Sequence, residues 1–307
     1  MKNKILVLSL VLISILSLSA SQVIANEEVL KFGILPAKPS FPVIIAKEKG
    51  FFKEENLEVD VIPFSSPNDR NIAMQAKKID GGIADIMTAL QFKNSGFNIV
   101  ITSDINEDFK LLSSSNSQIK NINDLDGRTV SLVPGFVLEY IMDEMAAKNN
   151  IKYKIVSVPS IPARFELLLA NKVDSVIFTE PQASMLAARG ANIIAGSEEY
   201  GIKAGTIIFN QQVIENRSTD LKAFYLAYNK AVNYLNSASP EEYSSLLTQY
   251  GIPKEITKFL KGNLEYKEAA EISAASYKSV WNWSKAREDY NESYKLEDIS
   301  DFSYIKN

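Results

Sequence analysis

Two arginines, Arg70 and Arg164, stand 94 residues apart, each in the first turn of a helical stretch, "NDRNIAMQAKK" and "PARFELLLANK". A cation there opposes the helix dipole, so an acid partner or an anionic ligand must offset it. Two guanidinium groups facing across a crevice would clamp a carboxylate or a phosphate. The plainer reading is a solvated face, or a local pair such as Arg70 with Asp69, and it is preferred for Arg70. For Arg164, set in the more apolar "SIPARFELLL", both readings stay open.

Carboxylates recur in the same way. Asp85, with Met87 and Thr88, follows one short apolar run; Glu180, with Thr179 and Pro181, follows another. Acids at both rims of a crevice would suit a ligand with an amine or amidine-like edge, an aminopyrimidine better than nitrate. Asp85 has a local alternative, capping the next helix. Glu180 precedes a proline rather than opening a helix cleanly, and it is the strongest single candidate. In "PAKPSFPV", Ser40, Phe41 and backbone N–H groups could meet a flat ligand, with Phe41 stacking on it or simply packed. Ser65 and Ser66 open the next helix, where N–H groups favour an anion, although Ser66 could only cap it. Gly135 and Phe136, with Tyr140 beyond, could line a wall, but aromatics on a helix are more often core. Trp281 and Trp283 are assigned to packing.

What is missing excludes more. The 307 residues contain no histidine and no cysteine. That removes the commonest metal ligand and general base, any thiolate nucleophile, any disulfide and any acylated lipoprotein anchor. A net charge of −4 and a pI near 5.2 leave no basic stripe for nucleic acid. No cofactor is implied.

"MKNK" followed by "ILVLSLVLISILSLS" and the small-residue site Val23-Ile24-Ala25 reads as an export signal over 1–25, with an uncleaved anchor as the alternative. Those residues hold two lysines and no acid, so cleavage would take the net charge to −6. No later stretch is apolar enough to span a bilayer, so no stable membrane insertion is expected after cleavage.

These residues need elements to hold them. From Leu30 the pattern runs strand, helix, strand, helix, strand, and it returns after "INDLDGRTVSLVPG". Residues 56–85 align without a gap on 150–179, and seven of the thirty positions are identical: Asn56/Asn150, Ser66/Ser160, Arg70/Arg164, Ala76/Ala170, Lys78/Lys172, Asp80/Asp174 and Ile83/Ile177. Each copy predicts a βαβαβ unit, hence a mostly parallel sheet flanked by helices. Two such lobes facing each other make a cleft at their strand ends. "FNIVITSDI", "DFKLLSSSN" and "AGTIIFN" supply two interlobe crossings, and a nearly all-helical C-terminus is expected to pack around the first lobe. The expected division is 26–111 plus 206–307 for lobe one and 112–205 for lobe two.

With those residues in view, the chain resembles the SsuA/THI5-like solute-binding proteins of ABC importers. "FPVIIAKEKGFFKEENLEVDVIPF", "KKIDGGIAD", "INDLDGRTVSLVPG", "NKVDSVIFTEP" and "LKAFYLAYNKAV" carry the resemblance across the mature chain. It implies the type II periplasmic-binding-protein fold and a monomeric periplasmic receptor. Such a receptor delivers a small molecule to an ABC permease with its ATPase. A thiamine-precursor-like pyrimidine ranks first as ligand, a sulfonate or other organic anion second. Two other readings are an enzyme of the same fold acting on pyrimidine or menaquinone precursors, and a sensor domain. The related pyrimidine synthases use histidine and a cysteine-rich motif absent here, and a sensor would need a membrane tether.

Overall fold

Ten strands pair into two sheets of five in the computed structural model, which describes residues 29–306 except 106, 254, 255, 257 and 261–264. The export signal expected over 1–25 lies outside the described residues. The first sheet runs β2 (Val59–Pro63), β1 (Leu30–Ile34), β3 (Gly81–Asp85), β10 (Gly205–Asn210), β4 (Ile99–Asp104). The second runs β7 (Lys154–Ser157), β6 (Thr129–Leu132), β8 (Ser175–Phe178), β5 (Lys110–Ser113), β9 (Asn192–Gly196). In both, the first three strands are parallel and the fourth is antiparallel to its neighbours. The antiparallel strand is in each case the one that enters straight after an interlobe crossing.

The sequence repeat is a structural one, and three of the seven identical pairs have a local physical reason. Asn56 and Asn150 both take the left-handed conformation at φ 56° and 52°, which asparagine tolerates better than most residues. Ser66 and Ser160 both cap a helix, accepting from the N–H of Asp69 and of Ala163. Asp80 accepts from the Lys31 N–H at 2.8 Å, and Asp174 from the Thr129 N–H at 2.8 Å. Each thereby ties its third strand to the start of the first strand of its unit.

Lobe one's core lies between its sheet and the long helix Ser218–Ser237. This helix presses Leu221, Phe224 and Tyr225 toward Phe32, Phe52 and Phe209. The C-terminus departs from the expected run of helices. Instead of helix from Glu268, residues 265–273 are irregular, and Ala270 bonds the edge of β4, accepting from the Asp104 N–H at 2.8 Å. The last helix, Ala274–Lys285, starts only where Ser273 caps it. It touches both lobes rather than the first alone. Tyr140 Oη donates to Ser279 Oγ at 2.8 Å, Trp283 Nε1 donates to Asp143 at 2.9 Å, and Arg287, just past the helix, pairs with Asp143.

Asp104 ends β4 where the first crossing begins, and it is half-buried. Burial lifts its carboxyl to about 6 against the pull of Lys203 and Lys267. The folded chain therefore keeps this proton to higher pH than the unfolded chain, whose aspartates titrate near ~4. The contribution of Asp104 to stability therefore falls as pH rises from that value to about 6 and is level above it. Asp104→Asn should flatten this slope in urea-unfolding midpoints measured across the same range; an unchanged slope would exclude Asp104 as its source.

Candidate functional site

The two sets of strand ends face each other across a cavity of about 90 Å³. Lobe one contributes the loop Leu35–Ser40, Pro67, Arg70 and Ile83–Asp85; lobe two contributes Val133, Phe136–Leu138, Ile161, Arg164, Ile177–Thr179 and Gln182. Glu107 and Phe109, on the first crossing, form the floor. Most of this wall is apolar, with a few convergent polar groups, as small-molecule sites tend to be.

The lobes are closed on one another. Lys38 N–H donates to the Glu180 carbonyl at 2.8 Å, Ile161 N–H to the Ser65 carbonyl at 3.0 Å, and Gln91 Nε2 to the Gly135 carbonyl at 3.1 Å. Gln182 reaches the Pro36 carbonyl, and the Val137 N–H approaches Asp85 at 3.4 Å.

Arg70 is only 2% exposed and Arg164 only 3%. Both face the cavity, one from each lobe, at corresponding positions of the repeat. The solvated or locally paired reading of Arg70 fails, because the β3 strand and the closed cleft shut it off from water and Asp69 is engaged by Ser66. Arg70 donates instead to the Ile83 carbonyl and the Asn71 side chain. Burial lowers both guanidinium groups to about 10, so both stay cationic at neutral pH. Asp85 opposes the shift at Arg70; no such charge acts on Arg164. Glu107 is lifted well above the ordinary carboxylate range by burial, with the Asp85 charge adding to it.

The model of the family described as NMT1/THI5 like matches residues 39–243, well over half of the chain. The chain belongs to the NMT1/THI5-like family. A Haemophilus influenzae protein named for thiamine biosynthesis is 26% identical over 219 residues, 67% of this chain and 68% of that protein. Among solved structures, the alkanesulfonate-binding protein SsuA of Xanthomonas axonopodis pv. citri, bound to MOPS, aligns with a TM-score of 0.75 at 16% identity, covering 88% of this chain and 97% of its own. The ligand-binding component of an ABC-type import system from Staphylococcus aureus, with zinc bound, aligns with a TM-score of 0.72 at 16% identity, covering 90% and 97%. These likenesses establish the two-lobed periplasmic-binding-protein fold. Among the described residues no group of three or more acids, histidines or cysteines is placed to hold a metal, and no helix is long and apolar enough to cross a membrane.

In this NMT1/THI5-like chain the cavity gathers Ser40, Asp85, Phe136, Arg164 and Thr179 from the expected set. Ser40 is turned away, donating to the Leu35 carbonyl at 2.6 Å. Asp85 both lines the cavity and caps its helix, accepting from the Thr88 N–H at 2.7 Å. The others lie elsewhere. Phe41 is wholly buried in the lobe-one core, 6.3 Å from the Tyr266 ring, because the helix it opens turns that face to the core. Ser65 projects to solvent and Ser66 caps its helix. Thr88 is fully buried off the cavity with its hydroxyl unpaired. Gly135 faces a separate crevice beside Trp283.

Glu180 is the main correction. Its carboxylate bends onto the start of helix Gln182–Ala187, accepting from the Ser184 N–H at 3.1 Å and the Ser184 hydroxyl at 2.8 Å. It borders a second, ionic cavity behind the crossings, with Lys38, Lys110 and Lys203. The second acid that lines the cavity, beside Asp85, is Glu107, which sequence reasoning missed. The one available signal was its place on the crossing after "FNIVITSDI", the segment that must floor any cleft between lobes. Gln182, also missed, follows Pro181 directly. Glu180→Ala should cost about 1 kcal/mol of stability through the lost cap, read by urea unfolding, and leave ligand affinity unchanged. A tenfold loss of affinity in that variant would return Glu180 to the site.

Proposed function

We propose that the chain is an exported solute-binding protein that captures a small heteroaromatic solute between its lobes and hands it to an ABC permease. The observation carrying this reading is the closed cavity itself: a mostly apolar enclosure to which both lobes and a crossing contribute, with Arg70, Asp85, Glu107 and Arg164 converging on it. A solute touching both lobes favours the closed arrangement over an open one, and two crossings permit the hinge. Receptor function needs no more chemistry than this. The thiamine-related name of the Haemophilus relative and the sulfonate ligand of SsuA supply the two solute classes to test first. The amine-accepting pair Asp85 and Glu107 favours an aminopyrimidine-like ring.

An enzyme on the same scaffold is the alternative, favoured by the biosynthetic name of that relative. It would have to work without histidine or cysteine. Thermal-shift screening of residues 26–307 against aminopyrimidines and alkanesulfonates separates the two. A solute at a hundredfold excess over Kd should add about 2.7 kcal/mol of stability, a rise of several degrees. Mass spectrometry should recover that solute unaltered; recovery of a new product would replace the receptor with an enzyme.

A further inference from the structure

The two arginines of the cavity are not partnered alike, and the difference follows from the repeat. At the same 94-residue offset that relates Arg70 to Arg164, Asp85 corresponds to Thr179. The first copy thus holds an arginine and an acid that act on each other; the second keeps the arginine and has a threonine in place of the acid. Arg164 Nη1 donates to the carbonyls of Val158 at 2.9 Å and Pro159 at 3.2 Å, and the guanidinium lies 5.3 Å from the centre of the Phe178 ring. Its Nε is buried with no partner, and no carboxylate among the described residues pairs with it. Carbonyls and a ring face offset part of the burial of a cation, but a guanidinium held this far from water ordinarily has an anion beside it. On the opposite side Glu107 lies beside Asp85 and has no hydrogen-bond partner among the described residues.

Resting on the receptor reading above, we propose that the solute is a bipolar heteroaromatic anion: its acidic group pairs with Arg164 of lobe two, and its amine edge meets Asp85 and Glu107. The acidic group is a carboxylate, a sulfonate or a phosphate ester, any of which a guanidinium fork accepts. Each pole engages one side of the cleft, so a solute with both poles ties the lobes together, whereas a one-ended analogue leaves one wall unsatisfied.

The test uses residues 26–307 and four probes by calorimetric titration: 4-aminopyrimidine-5-carboxylate, the corresponding methylsulfonate, the phosphomethyl compound, and the uncharged 5-hydroxymethyl analogue. At least one charged probe should bind at least tenfold more tightly than the hydroxymethyl analogue, and the order among the three identifies the acid. Arg164→Gln should abolish the preference, so that within this variant that probe and the hydroxymethyl analogue bind equally. Arg164→Lys, which keeps the charge without the fork, should fall between. Circular dichroism melts check that the variants fold; if Arg164→Gln does not, Arg164→Lys and the wild-type preference decide. Equal binding of charged and uncharged probes, or a preference for the charged probe that survives Arg164→Gln, overturns the proposal and leaves the receptor standing. If no probe binds wild type while another solute raises its melting temperature, the anionic assignment alone is lost; if nothing binds, both fall.

Discussion

Each sheet takes its antiparallel strand from a chain crossing, and the cleft depends on that exchange. β10 enters the first sheet on the way back from lobe two, and β5 enters the second on the way out from lobe one. Neither sheet is complete without a strand delivered by the crossing that joins it to the other. The chain therefore joins the lobes twice at one side, and only non-covalent contacts close the other, which is the condition for a hinge. The same exchange brings the carboxyl ends of β1, β3, β6 and β8 to one crevice, where the ligand of an α/β sheet is expected. The final helix, seated on Asp143 and Tyr140 of lobe two as well as on lobe one, adds a third tie.

What the sequence discloses here is mostly local. Asn56 and Asn150, Ser66 and Ser160, Asp80 and Asp174 do jobs defined within a few residues or by the start of a neighbouring strand, and the repeat exposes them. The two lobes follow because paired βαβαβ units permit little else. Burial of a charge is not local. Arg70 reads as a surface residue because its neighbours Asn68, Asp69 and Asn71 are polar; only the return of β3 past it and the closure of lobe two seal it in. Glu107 sits on a crossing with no periodicity to read, and Phe41 shows that an aromatic beside a site can belong wholly to the core. Glu180 misled for a related reason: its proline neighbour hid a helix start that the carboxylate caps.

Glu107 also separates two electrostatic regimes. On one side lies the mostly apolar cavity with its arginines; on the other lies an ionic cavity rich in lysines and acids. A carboxyl at such a boundary is held neutral more readily than one in water, because burial penalises its charged form. Arg70 has the Asp85 carboxylate acting on it, whereas Arg164 has no carboxylate partner among the described residues.

The unpartnered Arg164 bears on when the lobes close. In an open molecule Arg164 would meet water, which stabilises a guanidinium well. Closing around nothing removes that water and supplies only two carbonyls and a ring face in return, so the empty closed form carries a desolvation cost of roughly several kcal/mol. A solute that brings its own anion offsets this cost only in the closed form, so binding and closure are coupled by the same group. A symmetric pair of arginine–acid partners would have closed equally well empty or full. With threonine at 179 where the repeat places aspartate at 85, the second copy lacks the acid that would partner Arg164, and the proposed solute supplies it only when the lobes are closed.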